Sequence, residues 1–181
     1  MLEIPWEDKI KVELGLYAQM KWTEAITNVR GSTAIGGNKL RTYAQFKAFE
    51  PYGFEPYLWI VRDRRKLRLL ARFRMGIAPL RVETGRYAAN GCRGLPYEQR
   101  ICEHCSMRCV EDEKHFLVDC PKYNSLRKSF IDYIKQVNPE LILGRDNNMC
   151  ICFRTMMSSS CNEVVRAHAD FIWDAFAIRE A

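Results

Sequence analysis

Histidine is scarce in this chain: three residues in 181, at His104, His115 and His168. His104 and His168 are lone histidines with no partner in sequence. Long apolar runs are missing too. No segment reaches the roughly 18 apolar residues that a membrane-spanning helix needs. The opening MLEIPWEDKIKVELG has neither the basic start nor the apolar stretch of a signal peptide. An intracellular, reducing compartment, nuclear or cytoplasmic, is expected, where cysteines bind metal or stay free. Internal repeats and low-complexity tracts are absent, and 48% hydrophobic with 28% charged residues is ordinary globular composition.

Cysteine is what the chain has in quantity, with eight residues. Cys102, Cys105, His115 and Cys120 read C-x2-C-x9-H-x4-C within RICEHCSMRCVEDEKHFLVDCPKY. Two cysteines at this interval form a tight knuckle that presents two thiolates to one ion. A histidine and a third cysteine complete a tetrahedral set. Soft thiolates with one imidazole suit Zn²⁺, and four protein ligands leave no open position for water, so a structural site is expected. His104, inside the knuckle, is expected to point away from the ion. Cys109 lies between the ligand pairs and could replace one of them, and Cys92 could also approach. Cys150, Cys152 and Cys161 read as small core residues, because C-x-C is poor geometry for one ion.

The net charge of +6 is concentrated. The segment RDRRKLRLLARFR, from Arg62 to Arg74, carries seven Lys/Arg against one Asp. The spacing predicts a basic helix from about 57 to 76. On it Arg64, Arg65, Arg68 and Arg72 share an arc of about 100°, opposite Leu67, Leu70, Phe73 and Ile77. Lys66 and Arg74 break into the apolar side and must snorkel or pair. Guanidinium groups pair bidentately with phosphates and stack on bases. Arg64, Arg65, Arg68, Arg72 and Arg74, with Arg81 and Arg86 nearby, are accordingly the candidate nucleic-acid contacts. Tyr87, Tyr97 and Tyr123 are candidate stacking surfaces.

Elsewhere the periodicity predicts helices over 5–30, with Ile10, Leu14, Tyr17, Trp22, Ile26 and Val29 as its stripe, and over 39–49, with Leu40, Tyr43 and Phe46 inward. GSTAIGGN, 31–38, is a break, and Gly85, Gly91 and Gly94 break up 80–100. Pro121 opens a helix over 121–137 that buries Leu126, Phe130, Ile134 and Val137. A short apolar segment, 149–157, precedes the last helix, 161–179, whose stripe is Val164, Val165, His168, Phe171, Ile172 and Phe176. Ser160 and Glu163 have capping-box spacing for that helix. His168 on the stripe reads as a core histidine. The expected fold is mainly α, with a small CCHC knuckle or hairpin before the penultimate long helix. The expected division is an N-terminal helix and flexible linker, 1–38, and a helical zinc-binding domain, 39–181.

The metal segment resembles the zinc-binding region C-terminal to the reverse transcriptase of non-LTR (LINE-type, jockey-like) retrotransposons. The likeness lies in Cys102, Cys105, the acidic run Glu111 to Glu113, His115, and the C-P-x-Y-x3-R of Cys120, Pro121, Tyr123 and Arg127. KLRTYAQFK, LARFRMG, ETGRY and HADFIWDAFAIR are similar to the flanking helices, so the resemblance spans roughly 39–179. It implies a zinc-stabilised module that handles RNA or DNA beside a polymerase domain in the parent element, with neither membrane nor small-molecule partner. The family's polymerase needs adjacent aspartates in F/Y-x-D-D, and no two aspartates are adjacent here. The chain is expected to be a detached C-terminal piece and not an enzyme. The alternatives are a structural or protein-interaction zinc domain, or a relic of a mobile element.

Overall fold

The computed structural model describes residues 6–27, 41–47, 53–87, 94–139 and 149–180. Among them the chain is helical throughout, joined by turns and one isolated antiparallel bridge. The helices are α1 (Trp6–Thr27), α2 (Arg41–Lys47), α3 (Tyr57–Ile60), α4 (Arg64–Met75), α5 (Arg81–Thr84), α6 (Asn124–Val137), α7 (Met149–Ser158) and α8 (Asn162–Glu180). The mainly α class is as expected. The predicted break at 31–38, the boundary at 38–39, Cys92 and the loop at 143–148 lie outside the described residues, as do the side chains of Cys150 and Cys152.

Helix α8 is the spine, packed against α4 on one side and α6 on the other. Its predicted stripe, Val164, Val165, His168, Phe171, Ile172 and Phe176, is buried along its whole length. The helix begins one residue later than the capping box implies. Cys161 precedes its first residue, and the Cys161 Sγ donates to Glu163 Oε2 at 3.3 Å. Helix α6 buries Phe130 and Ile134 as expected, but Leu126 is half-buried and Val137 is exposed.

The basic helix is shorter than its sequence pattern. The chain is extended at Val61 and Asp63, and Asp63 caps α4 by accepting from the Arg65 and Lys66 amides at 2.7 and 3.2 Å. Gly76 ends the helix in the left-handed conformation, φ 74°, which glycine adopts without a Cβ clash. The two cations on the apolar side are both paired. Lys66 reaches Asp170 of α8 at 2.6 Å. Arg74 turns fully inward.

That burial overturns one expected nucleic-acid contact. Arg74 is 2% exposed, pairs with Glu55 at 3.0 Å, and lies over the Phe46 and Tyr57 rings at 4.9 and 4.7 Å. Glu55 also accepts from the Tyr43 hydroxyl and pairs with Lys47, so one carboxylate ties α2 to α4. Arg86 is also buried, beside Glu83, and Arg81 is half-buried against Glu103 at 2.9 Å. Tyr123 is a core residue against Phe116, not a stacking surface.

The stripe predicted for α1 is also overturned. Its helix forms, but Ile10, Leu14 and Tyr17 are exposed, together with Trp6, Leu16 and Met20. Apolar residues lie all round this helix, so no single face can be covered by α2, the short helix it packs on. Trp22 is half-buried, edge-on to Tyr43 at 5.7 Å, while Val29 and the side chain of Ile26 lie outside the described residues.

Two consequences can be measured. Arg74→Ala leaves the Glu55 carboxylate without its guanidinium partner, and a loss of ~3–5 kcal/mol on denaturant unfolding is expected. His168 is enclosed between Phe73 and Phe130, its Nε2 without a hydrogen-bond partner. Burial, and then the charge of Arg74, lowers its pKa from 6.5 to about 3. Between those values the unfolded chain holds a proton that the folded one lacks, so stability falls as pH falls. His168→Leu should remove up to ~1.4 kcal/mol per pH unit from that slope. Every other titrating group is common to both proteins, so the difference between the two curves reports His168.

Candidate metal centre and basic face

Two backbone hydrogen bonds build the knuckle and together make its one antiparallel bridge. Ile101 and Val110 form the antiparallel bridge, the Cys102 amide donates to Cys109 O at 2.9 Å, and the Glu111 amide donates to Arg100 O at 3.0 Å. The chain reverses between them with Arg108 at φ 52°, an unusual left-handed conformation for a residue with a Cβ. The result holds Cys102 and Cys105 at one end of a short hairpin.

The other two ligands come from a single distorted turn. Asp112 caps it, accepting from the His115 amide at 2.8 Å. From His115 to Asp119 the chain is a π-helix, closed by the Cys120 amide donating to His115 O at 2.7 Å. The wider turn matters. Five residues along an α-helix rotate a side chain about 140° out of line with the first. A turn closed from residue i to i+5 brings positions 115 and 120 back towards one side. Pro121 then starts a 3₁₀ turn, Pro121–Tyr123, that leads into α6.

The four residues meet. The ligand atoms of Cys102, Cys105, His115 and Cys120 all lie within 4.8 Å of one another, an arrangement that could hold a metal ion. Cys105 Sγ is 3.5 Å from His115 Nε2. Cys109, weighed as a substitute ligand, lies beside the same ring, its Sγ 3.1 Å from Nδ1 and 4.0 Å from Nε2, outside the four-residue cluster. His104 faces away towards Glu111, 3.9 Å off, as expected. Burial pushes the Cys102 thiol up to about 12 and the Cys120 thiol upward, and it lowers the His115 pKa. The imidazole is thus kept neutral, the form that ligates, while thiolates in this enclosure need a compensating cation.

Sequence reading missed the polar frame around the cluster. Glu111 is buried, and its carboxylate accepts from the Arg179 side chain through two bonds of 3.0 Å and from the Arg81 amide at 2.8 Å. It therefore joins the hairpin to α5 and to the end of α8. Glu113 accepts from the Thr42 hydroxyl of α2 at 2.7 Å. Arg127 reaches back from α6 to the carbonyls of Cys120 and Leu117 at 2.7 and 2.8 Å. The acidic run and the C-P-x-Y-x3-R arginine thus hold the backbone that bears the ligands.

The segment is also joined to the core by packing. Phe116, Leu117 and Val118 are buried, and Phe116 lies 5.5, 4.6 and 4.8 Å from the rings of Phe73, Tyr123 and Phe176. The His115–Cys120 half is held by packing, and the hairpin half by fewer contacts.

On α4, Arg64, Arg65, Arg68 and Arg72 are all exposed, as the wheel predicts. Glu111 and Glu113 do not neutralise this face, because both are engaged elsewhere. No helix among the described residues is long and apolar enough to cross a membrane. No protein-family profile, curated protein or solved structure matches the chain.

Cys105→Ser or His115→Ala should lower metal affinity at least tenfold, as loss of a ligand does in a closed site. Hydrogen-exchange protection should fall mostly over 100–112, while 116–123 keeps the protection that Phe116 gives it. Cys109→Ser should retain one ion per chain by mass spectrometry of the folded protein. Full metal content in the His115 variant would remove it from the ligand set.

Proposed function

We propose that this chain is a zinc-stabilised helical module that binds RNA or DNA. In this reading it derives from the region C-terminal to a non-LTR retrotransposon reverse transcriptase and works without a polymerase active site. The carrying observation is the exposed row of Arg64, Arg65, Arg68 and Arg72 on α4. Such a row offers phosphates charge-assisted hydrogen bonds at a rigid spacing.

Zinc is the ion that the ligand chemistry favours, since three soft thiolates and an imidazole suit it better than they suit magnesium or calcium. With ordinary zinc bond lengths, a tetrahedral site separates a sulfur and a nitrogen ligand by about 3.6 Å. The 3.5 Å from Cys105 Sγ to His115 Nε2 fits that edge. With all four ligands drawn from the chain the ion closes the hairpin and does no chemistry, and Cys102, Cys105 and His115 are not available as a nucleophile and base. The metal-segment resemblance supports the retrotransposon origin.

The exposed apolar residues of α1 favour a second reading, a module that docks on another protein such as the parent polymerase domain. A salt-resolved titration separates the two. Arg64→Ala combined with Arg68→Ala should leave metal content unchanged and weaken single-stranded RNA binding about tenfold. The log–log salt slope should fall by about 1.4, two phosphate contacts' worth. Absence of RNA and DNA binding by the parent protein at moderate salt would leave the protein-docking reading.

A further inference from the structure

We propose that the groove between α4 and α8 is a subsite for a single unstacked nucleotide, so that the module selects single-stranded over duplex nucleic acid. This rests on the nucleic-acid reading above and goes on to name the strand state and the residues that decide it. The groove has a volume of about 350 Å³ and is lined by Arg65, Arg68 and Arg72 from α4 and by Trp173 and Glu180 from α8, with Pro79 at its side. Its size is at the small end of ligand pockets, suited to a base and its sugar.

The two walls do different things. Arg65, Arg68 and Arg72 follow one another at intervals of three and four, so they stand in a row along α4, spanning about 10 Å of helix. All three are exposed, and the Arg72 Nε makes only a long 3.4 Å bond to Ile77 O. A row of this kind tracks a phosphate backbone. Opposite it, Trp173 is 36% exposed although it belongs to the most buried helix of the domain. An indole beside guanidinium groups offers a base both a stacking face and cations. Bases in a duplex have their faces covered by neighbours, and only a splayed base can reach such a ring.

The acidic residues of α8 set the direction of the strand. Glu180 stands at the groove itself and repels phosphate there. Asp170 is occupied by Lys66, and Asp174 lies in the neighbouring groove towards α6. The backbone of the strand is thus confined to the α4 wall and its base to the α8 wall.

The test is a fluorescence-anisotropy titration of the metal-loaded full chain with a labelled single-stranded RNA of about twelve nucleotides. The same sequence as a duplex, and poly-glutamate, serve as competitors. The parent protein is expected to bind the single strand at least tenfold more tightly than the duplex. Trp173→Ala should lose about tenfold, Trp173→Phe should recover most of it, and Glu180→Gln should tighten binding. Circular dichroism and metal content checked on each variant separate loss of binding from loss of fold. If Trp173→Ala binds like the parent while the Arg64/Arg68 double variant is weakened, the subsite is overturned and the broader reading stands. Equal affinity for the duplex also overturns it. Poly-glutamate displacing the RNA at equal charge concentration would make the groove an acidic-peptide site, and absence of all RNA binding would overturn both readings.

Discussion

The turn from His115 to Cys120 faces two ways at once, and the rest of the domain depends on it. One side carries two of the four ligand side chains. The other inserts Phe116 among Phe73, Tyr123 and Phe176, at the point where α4, α6 and α8 converge. A regular α-helix could not do both, because residues 115 and 120 would diverge around its axis. The π-helical hydrogen bond closes the turn, and Arg127 occupies the carbonyls that the irregular backbone leaves open. Packing and the Cys/His cluster therefore share one backbone geometry, and an ion held there would act mainly on the hairpin that packing reaches least.

Arginine plays two opposite roles in this small domain. Arg74, Arg86, Arg100 and Arg127 are buried and hold carboxylates or carbonyl groups. Arg64, Arg65, Arg68 and Arg72 remain in water. The buried set is tied to internal partners, so on α4 the guanidinium groups that meet the solvent are those of this one row. Glu111 contributes to the same separation. By taking up Arg179 it removes a carboxylate that could otherwise have screened the exposed row.

Much of this was legible in the chain itself. The stripe of α8 has helical period over several turns and borders the largest core, so sequence and packing agree at each position. The meeting of Cys102, Cys105, His115 and Cys120 was legible because metal coordination imposes residue type and spacing together. Arg74 was harder. On the wheel it intrudes on an apolar face, but whether it bends outward or pairs depends on Glu55, 19 residues away. The role of Glu111 was not legible at all, since its partner lies 68 residues downstream and nothing local distinguishes a buried carboxylate from a solvated one. The α1 stripe misled because apolar residues lie all round that helix, so no one face is singled out for burial.

The central claim is that three thiolates and one imidazole enclose a single tetrahedral ion. Loading the metal-free protein with cobalt(II) and recording the visible absorption spectrum tests it most directly. The account predicts one cobalt per chain, intense d–d bands of a tetrahedral site and sulfur-to-metal charge transfer, with the Cys109→Ser protein giving the same spectrum. Weak octahedral bands, binding in excess of one ion, or a spectrum that changes when Cys109 is replaced would contradict it.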